Sequence, residues 1–98
     1  MQYGTYVGNG TYGEKKPTRL TFSFEPKLVI IQQLTCAETD DKNYPIMIMV
    51  RPLQSYNFSK GVYHNLISWS ENSVSWTGYD SSYQFNFSGT TYIYIALG

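Results

Sequence analysis

Charge is scarce in this chain. Only 14% of its 98 residues are Asp, Glu, Lys or Arg, and seven acids balance seven bases to a formal net charge of zero. Soluble domains average about 25% charged residues. Without a basic run or stripe, the phosphate-neutralising contribution that nucleic-acid binding depends on is missing, so no nucleic acid is expected as a partner. A near-neutral surface also does little to keep copies apart, which points to a homo-oligomer or to a larger parent protein. Cysteine occurs once, at Cys36, which rules out an internal disulfide and a cysteine-based zinc site. That usage suits folding in a reducing cytosol. The longest apolar run, Ile46–Val50, is far too short to cross a bilayer, and Met1-Gln-Tyr-Gly4 has neither the basic nor the apolar region of a signal peptide. Neither membrane insertion nor secretion is expected. Three Asn-x-Ser/Thr sequons, at Asn9, Asn57 and Asn86, then count as chance products of an Asn- and Ser-rich chain.

Helical periodicity is also missing. No stretch sustains apolar residues at i, i+3, i+4 and i+7, whereas alternation with period two recurs throughout. Tyr3–Val7 reads as a first strand, followed by a Gly8-Asn-Gly10 turn suited to positive φ. Thr18–Phe24 places Leu20, Phe22 and Phe24 on one face, until Glu25-Pro26 breaks it. Lys27–Leu34 is apolar on both faces, as a central strand is, and Ile46–Val50 repeats that pattern. Residues 36–44 and Leu53–Lys60 read as loops. Val62–Trp69 and Val74–Thr77 form a hairpin about Ser70–Ser73, with Trp69 and Trp76 placed to pair across it. Tyr83, Phe85 and Phe87 alternate with Gln84, Asn86 and Ser88 as another strand, and Ser88-Gly89 turns into the last one. The pattern predicts an all-β chain, a single jelly-roll-like β-sandwich of about eight antiparallel strands over residues 1–98.

What the chain has in excess is aromatic: ten Tyr, five Phe and two Trp make up 17% of it. Sheets favour such side chains, and so do interfaces and sugar-binding faces, because Tyr and Trp combine a flat apolar body with a polar handle. Tyr44, Tyr56, Tyr79 and Asp80 lie in loops or near strand ends and are the candidate ligand-binding residues, with a sugar the ligand class that stacks on aromatic rings and hydrogen-bonds to carboxylates. Catalytic groups are harder to place. His64 is the sole histidine and is expected to be a partly buried, hydrogen-bonded structural residue sharing a face with Val62 and Leu66. Cys36 follows an apolar strand and has no basic neighbour in sequence, so it reads as a small core or edge residue. Glu38, Asp40 and Asp41 lack the glycine-punctuated spacing of a calcium loop and read as an ordinary charged loop. No paired acid and base can be named, and the chain reads as a non-enzyme with no catalytic residue, metal or cofactor. Were it a polysaccharide depolymerase instead, Asp80, Glu38 and Asp41 would be its best candidates.

Three segments, in order, resemble a known family. Gly4-Thr-Tyr-Val-Gly-Asn-Gly10 resembles the opening strand and turn of a small β-sandwich domain found at the C-terminal ends of bacteriophage tail and tail-fibre proteins. Phe22-Ser-Phe-Glu-Pro-Lys-Leu-Val-Ile30 resembles that domain's Phe-x-Pro-Lys-aliphatic approach to a central strand. Phe87-Ser-Gly-Thr-Thr-Tyr-Ile-Tyr-Ile-Ala-Leu-Gly98 is similar to its closing strand. Residues 36–61 match nothing in the family. The resemblance implies the C-terminal domain of a larger fibre, located in the virion after synthesis in the bacterial cytoplasm and often trimeric. It implies host recognition, with a bacterial surface glycan as the expected partner. The alternatives are a purely structural cap or trimerisation domain, and a carbohydrate-binding module of a bacterial protein.

The closing strand separates Tyr92, Tyr94 and Ala96 from Ile93, Ile95 and Leu97. The expectation is that the aliphatic face enters the sandwich core. Tyr92 and Tyr94 would then face a neighbouring subunit or a wet groove as the oligomer interface.

Overall fold

The computed structural model describes residues 1–34, 46–58 and 64–98. Among them are eight strands: β1 Gln2–Val7, β2 Thr18–Thr21, β3 Leu28–Gln33, β4 Ile46–Val50, β5 Ser55–Asn57, β6 His64–Trp69, β7 Ser73–Thr77 and β8 Thr91–Leu97. They form two four-stranded antiparallel sheets, ordered β1-β8-β3-β4 and β2-β7-β6-β5. The all-β sandwich stands. As in a jelly roll, first and last strands pair, β2 pairs β7, and β3 lies beside β8. The inner strands differ: β4 returns next to β3, and β5, β6 and β7 run as a meander.

Alternation within each strand decides which side chains meet between the sheets. From the first sheet come Tyr6, Tyr92, Ala96, Val29, Ile31, Met47 and Met49. Leu20, Phe22, Val74, Trp76 and Ile67 face them from the second. The expected central strand is central, since β3 is flanked by β8 and β4. The closing strand is turned the other way from the expectation. Tyr92 and Ala96 are fully buried and Tyr94 is half-buried, whereas Ile95 and Leu97 are 43% and 40% exposed. Tyr92 is therefore a core residue and not part of an oligomer interface. Tyr94 points the same way, its ring edge-on to Phe22 at 5.9 Å and lying over Gly4, where a Cβ would come within 2.9 Å of the tyrosyl oxygen. The inward face suits large rings because glycine and alanine leave them room.

Two strand assignments also change. Tyr83–Phe87 is not a strand but a series of turns, with Phe85 at φ 57°. The Asp80 carboxylate accepts the Tyr83 N–H at 2.8 Å, and the backbone N–H groups of Gln84, Phe85 and Asn86 donate to the carbonyls of Asp80, Ser82 and Ser81. Local side-chain and turn bonds win over the alternating pattern. Conversely, β5 lies inside the stretch read as a loop. The tryptophans do not pair with each other: Trp69 is opposite Val74, and Trp76 is opposite Ile67.

Glycine is needed at the first turn for two reasons. Gly10 has φ 85°, but Gly8 is required by contact, because a Cβ there would collide with the Phe87 carbonyl. The loop after β1 is thus pressed against residues 86–90, where Gly8 N–H donates to Thr90 and Gly10 N–H to Asn86.

The buried amide of Gln84 fastens the connection between β1 and β2 to the one after β7. Its Oε1 accepts the N–H groups of Gly13 at 2.9 Å and Gly78 at 2.8 Å, while Nε2 donates to Lys16 O at 2.8 Å and Thr18 Oγ1 at 3.0 Å. A Gln84→Ala variant leaves these groups without their partner. It is expected to lose about 3 kcal/mol of unfolding free energy in urea denaturation. A loss below about 1 kcal/mol would show that the amide is dispensable.

Candidate functional site

Two of the sequence-predicted ligand residues, Tyr56 and Tyr79, are joined at one end of the sandwich by a chain of ring contacts. Tyr79, 64% exposed, stands edge-on to Tyr83 at 6.3 Å. Tyr83 meets Phe58 at 5.1 Å, and Phe58 meets Tyr56 at 5.2 Å and Phe85 at 6.2 Å. Phe85 then touches Tyr92, which stacks on Tyr6 at 5.1 Å. The structure thus links Tyr56 and Tyr79 through two rings that the sequence reading left out of the site, Phe58 and Tyr83. Tyr56 is half-buried in β5, and its hydroxyl donates to the Ile46 carbonyl at 3.3 Å. Asp80 Oδ1 is occupied in the turn. Tyr44 lies outside the described residues, as do Cys36, Glu38, Asp40 and Asp41.

A concave site exists at the opposite end, where β5 stops short. β5 has three residues and β6 has six, so Ile67, Ser68 and Trp69 run on past the last β5 pair. The chain following β4 fills part of that edge: Gln54 O accepts the Ile67 N–H at 2.8 Å, and Leu53 O accepts the Trp69 indole N–H at 2.8 Å. Between them lies a groove of about 480 Å³, lined by Pro52, Gln54, Leu66, Ile67, Ser68 and Trp69. The Arg51 guanidinium sits 4.9 Å from the Trp69 ring centroid and is held in place by the carbonyls of Pro26 and Ser70. Such a cation over an indole orients the ring as well as attracting it.

The groove offers an indole, a primary amide, a hydroxyl and the exposed Leu66 side chain, and none of its lining residues is ionisable. Those groups can hold a polar, uncharged ring by apolar contact and hydrogen bonds. They cannot supply a general acid and base. Sequence reasoning missed this site because Arg51 and Trp69 are distant in the chain and meet only through the turn after β4. His64 is exposed on the outer face with Leu66, not partly buried, although the shared face with Leu66 is as expected. Among the described residues there is no cluster of three or more His, Cys, Asp or Glu that could hold a metal, and no helix long and apolar enough to cross a membrane.

No family model, curated protein or solved structure matches the chain.

The ring chain has a consequence at alkaline pH. The Tyr6 hydroxyl donates to Phe85 O at 2.8 Å, and burial, with the adjacent Tyr92, pushes its pKa well above the usual value. Burial also raises Tyr92, offset in part by the Phe87 N–H that its oxygen accepts. The fold favours the neutral phenols, so their contribution is complete below the unfolded pKa of about 10 and declines as pH rises beyond it. Urea midpoints are expected to fall above about pH 10. Tyr6→Phe should lose about 1 kcal/mol at pH 7 but show a shallower alkaline decline. Parallel declines in the two proteins would mean that Tyr6 ionises freely in the native state.

Proposed function

We propose that the chain is a non-catalytic recognition module of tail-fibre type that binds a glycan of a bacterial surface in the Trp69 groove. The observation that carries the binding half is the groove itself. A volume of about 480 Å³ falls in the usual range of small-molecule sites and is roomy enough for a sugar ring. Indole, amide and hydroxyl are the groups that hold such a ring by its apolar face and its hydroxyls. Tyr79, with Tyr83 behind it, is a second aromatic contact point at the far end of the domain.

The tail-fibre half rests on the resemblance, which the fold supports in one respect. Gly4–Gly10, Phe22–Ile30 and Phe87–Gly98 contribute the end of β1, the start of β3 and the whole of β8, which lie side by side in a single sheet. On this reading the module belongs to a larger virion protein made in the bacterial cytoplasm, and it assembles as a homo-oligomer. A carbohydrate-binding module of a bacterial protein would use the same groove. A purely structural cap would leave the groove without a ligand.

Fluorescence can locate the ligand because the chain has two tryptophans. Trp76 is buried, and Trp69 lines the groove. Host polysaccharides and whole cells would be screened for binding, and hits titrated against a Trp76→Phe variant. Occupation of the groove should shift Trp69 emission and shield it from acrylamide. Gln54→Ala should weaken binding about tenfold, the worth of one good hydrogen bond. A folded protein that binds no surface polysaccharide or cell would end the recognition reading. Binding that leaves Trp69 emission and quenching unchanged, but is lost in Tyr79→Ala, would move the site to the aromatic end.

A further inference from the structure

The two sheets present opposite outer surfaces. On the second sheet the outward side chains include Arg19, Thr21, Ser75, Ser68, His64 and Asn57, a solvent face in composition. On the first sheet none of the four strands contains a charged residue. Its outward positions line up across the sheet in register. Tyr3, Ile95, Ile30 and Ile48 form one row, and Leu97, Leu28 and Val50 form the next. Tyr3 is 71% exposed, Ile48 41% and Ile95 43%. A sandwich needs only its inner faces to be apolar. Apart from Thr5 and Gln32, which flank Ile93 in a third row, the outer side of this sheet is apolar as well, and its inner side already has a partner.

Size identifies the occupant. Scaling the exposed fractions of the outward aliphatic and tyrosyl side chains by full exposures of about 150–220 Å² gives roughly 700 Å² of apolar surface. That exceeds the patch of a few hundred Å² that monomers carry and approaches the ~800 Å² per partner of a stable complex. With no charge on the face and no net charge on the chain, two copies can approach without repulsion. Aliphatic rows of two twisted sheets interdigitate face to face at about 30°, as the inner faces of a sandwich do. We propose that this outer face, β1-β8-β3-β4, binds the same face of a second copy to form a two-fold dimer. A two-fold contact needs only one self-complementary patch, whereas a ring needs two different ones, and the opposite sheet is polar. The dimer places four sheets in one stack, with the Trp69 grooves of both copies left open, and it does not depend on what those grooves bind.

Sedimentation velocity of the chain from micromolar to millimolar concentration tests this directly. The expected species has twice the 11.3 kDa chain mass, and raising the salt concentration should not dissociate it. Ile95→Lys places a cation in the middle of the face on a strand that is not an edge, and should weaken the dimer at least ~100-fold. Ile48→Lys should do the same, and Thr21→Lys on the polar sheet, away from the groove, should leave the dimer intact, with circular dichroism confirming that each variant is folded. A wild-type chain that stays monomeric at millimolar concentration overturns the proposal, whatever the variants do. So does a trimer, or a dimer that survives in folded Ile95→Lys. A monomer that instead floats with phosphatidylcholine vesicles would give the face to lipid and equally overturn it.

Discussion

The fold depends on a short segment, Gln84-Phe85-Asn86, that is buried without belonging to either sheet. Burying irregular backbone costs several kcal/mol unless each polar group finds a partner. Here they do. The Gln84 N–H and carbonyl bond Asp80 and the Trp76 indole, and its side-chain amide bonds Gly13, Gly78, Lys16 and Thr18. The Phe85 carbonyl takes the Tyr6 hydroxyl. Asn86 bonds Gly10 through its carbonyl, and through its amide both Asn9 and Thr11. Between the two amides, Phe85 inserts its ring between Phe58 and Tyr92. The segment closes one end of the sandwich and ties the loops after β1 and β7 to it. Asn65 belongs to the same region, its Nδ2 donating to Tyr83 O, while its Oδ1 is the one buried side-chain nitrogen or oxygen among the described residues without a hydrogen bond.

That closure sorts the surface into regions with different chemistry. The closed end carries the ring chain that terminates in exposed Tyr79. The other end is left open because β5 is short, and there Trp69 lines a groove between the β6 edge and the chain after β4. The broad face of the first sheet is apolar and uncharged, and the broad face of the second is polar. A ligand and a second copy of the chain would therefore engage different surfaces, so assembly need not compete with recognition.

Much of the sandwich could be read from residue alternation. β1, β2, β6 and β7 follow alternating runs, β3, β4 and β8 follow short runs apolar on both faces, and the turns at Ser70–Ser73 and Ser88-Gly89 follow their residue types. Alternation says nothing, however, about which of two apolar faces enters the core. In β8 the aliphatic set has the composition of an interior, but it is the rings that point inward: Tyr92 meets Tyr6 and Phe85, Tyr94 meets Phe22, and the cross-strand Gly4 makes room for Tyr94. The same ambiguity explains Tyr83–Phe87. Alternation with Gln84 and Asn86 suggests a strand, but these are the buried amides that satisfy neighbouring loops. β5 was too short to show a period. The groove was illegible for a different reason, since it depends on strand lengths and on residues 51–54 meeting 66–69.

The central claim is that the 84–86 segment is a sealed, fully bonded closure on which the loop ends depend. Solvent exchange of the Gln84 and Asn86 side-chain amide protons, followed by nuclear magnetic resonance, tests it without altering the molecule. If the closure is intact, these protons exchange only through global opening, as slowly as the backbone amides of β3 and β8. Exchange at the rate of a solvent-exposed amide, while β3 and β8 remain protected, would contradict it.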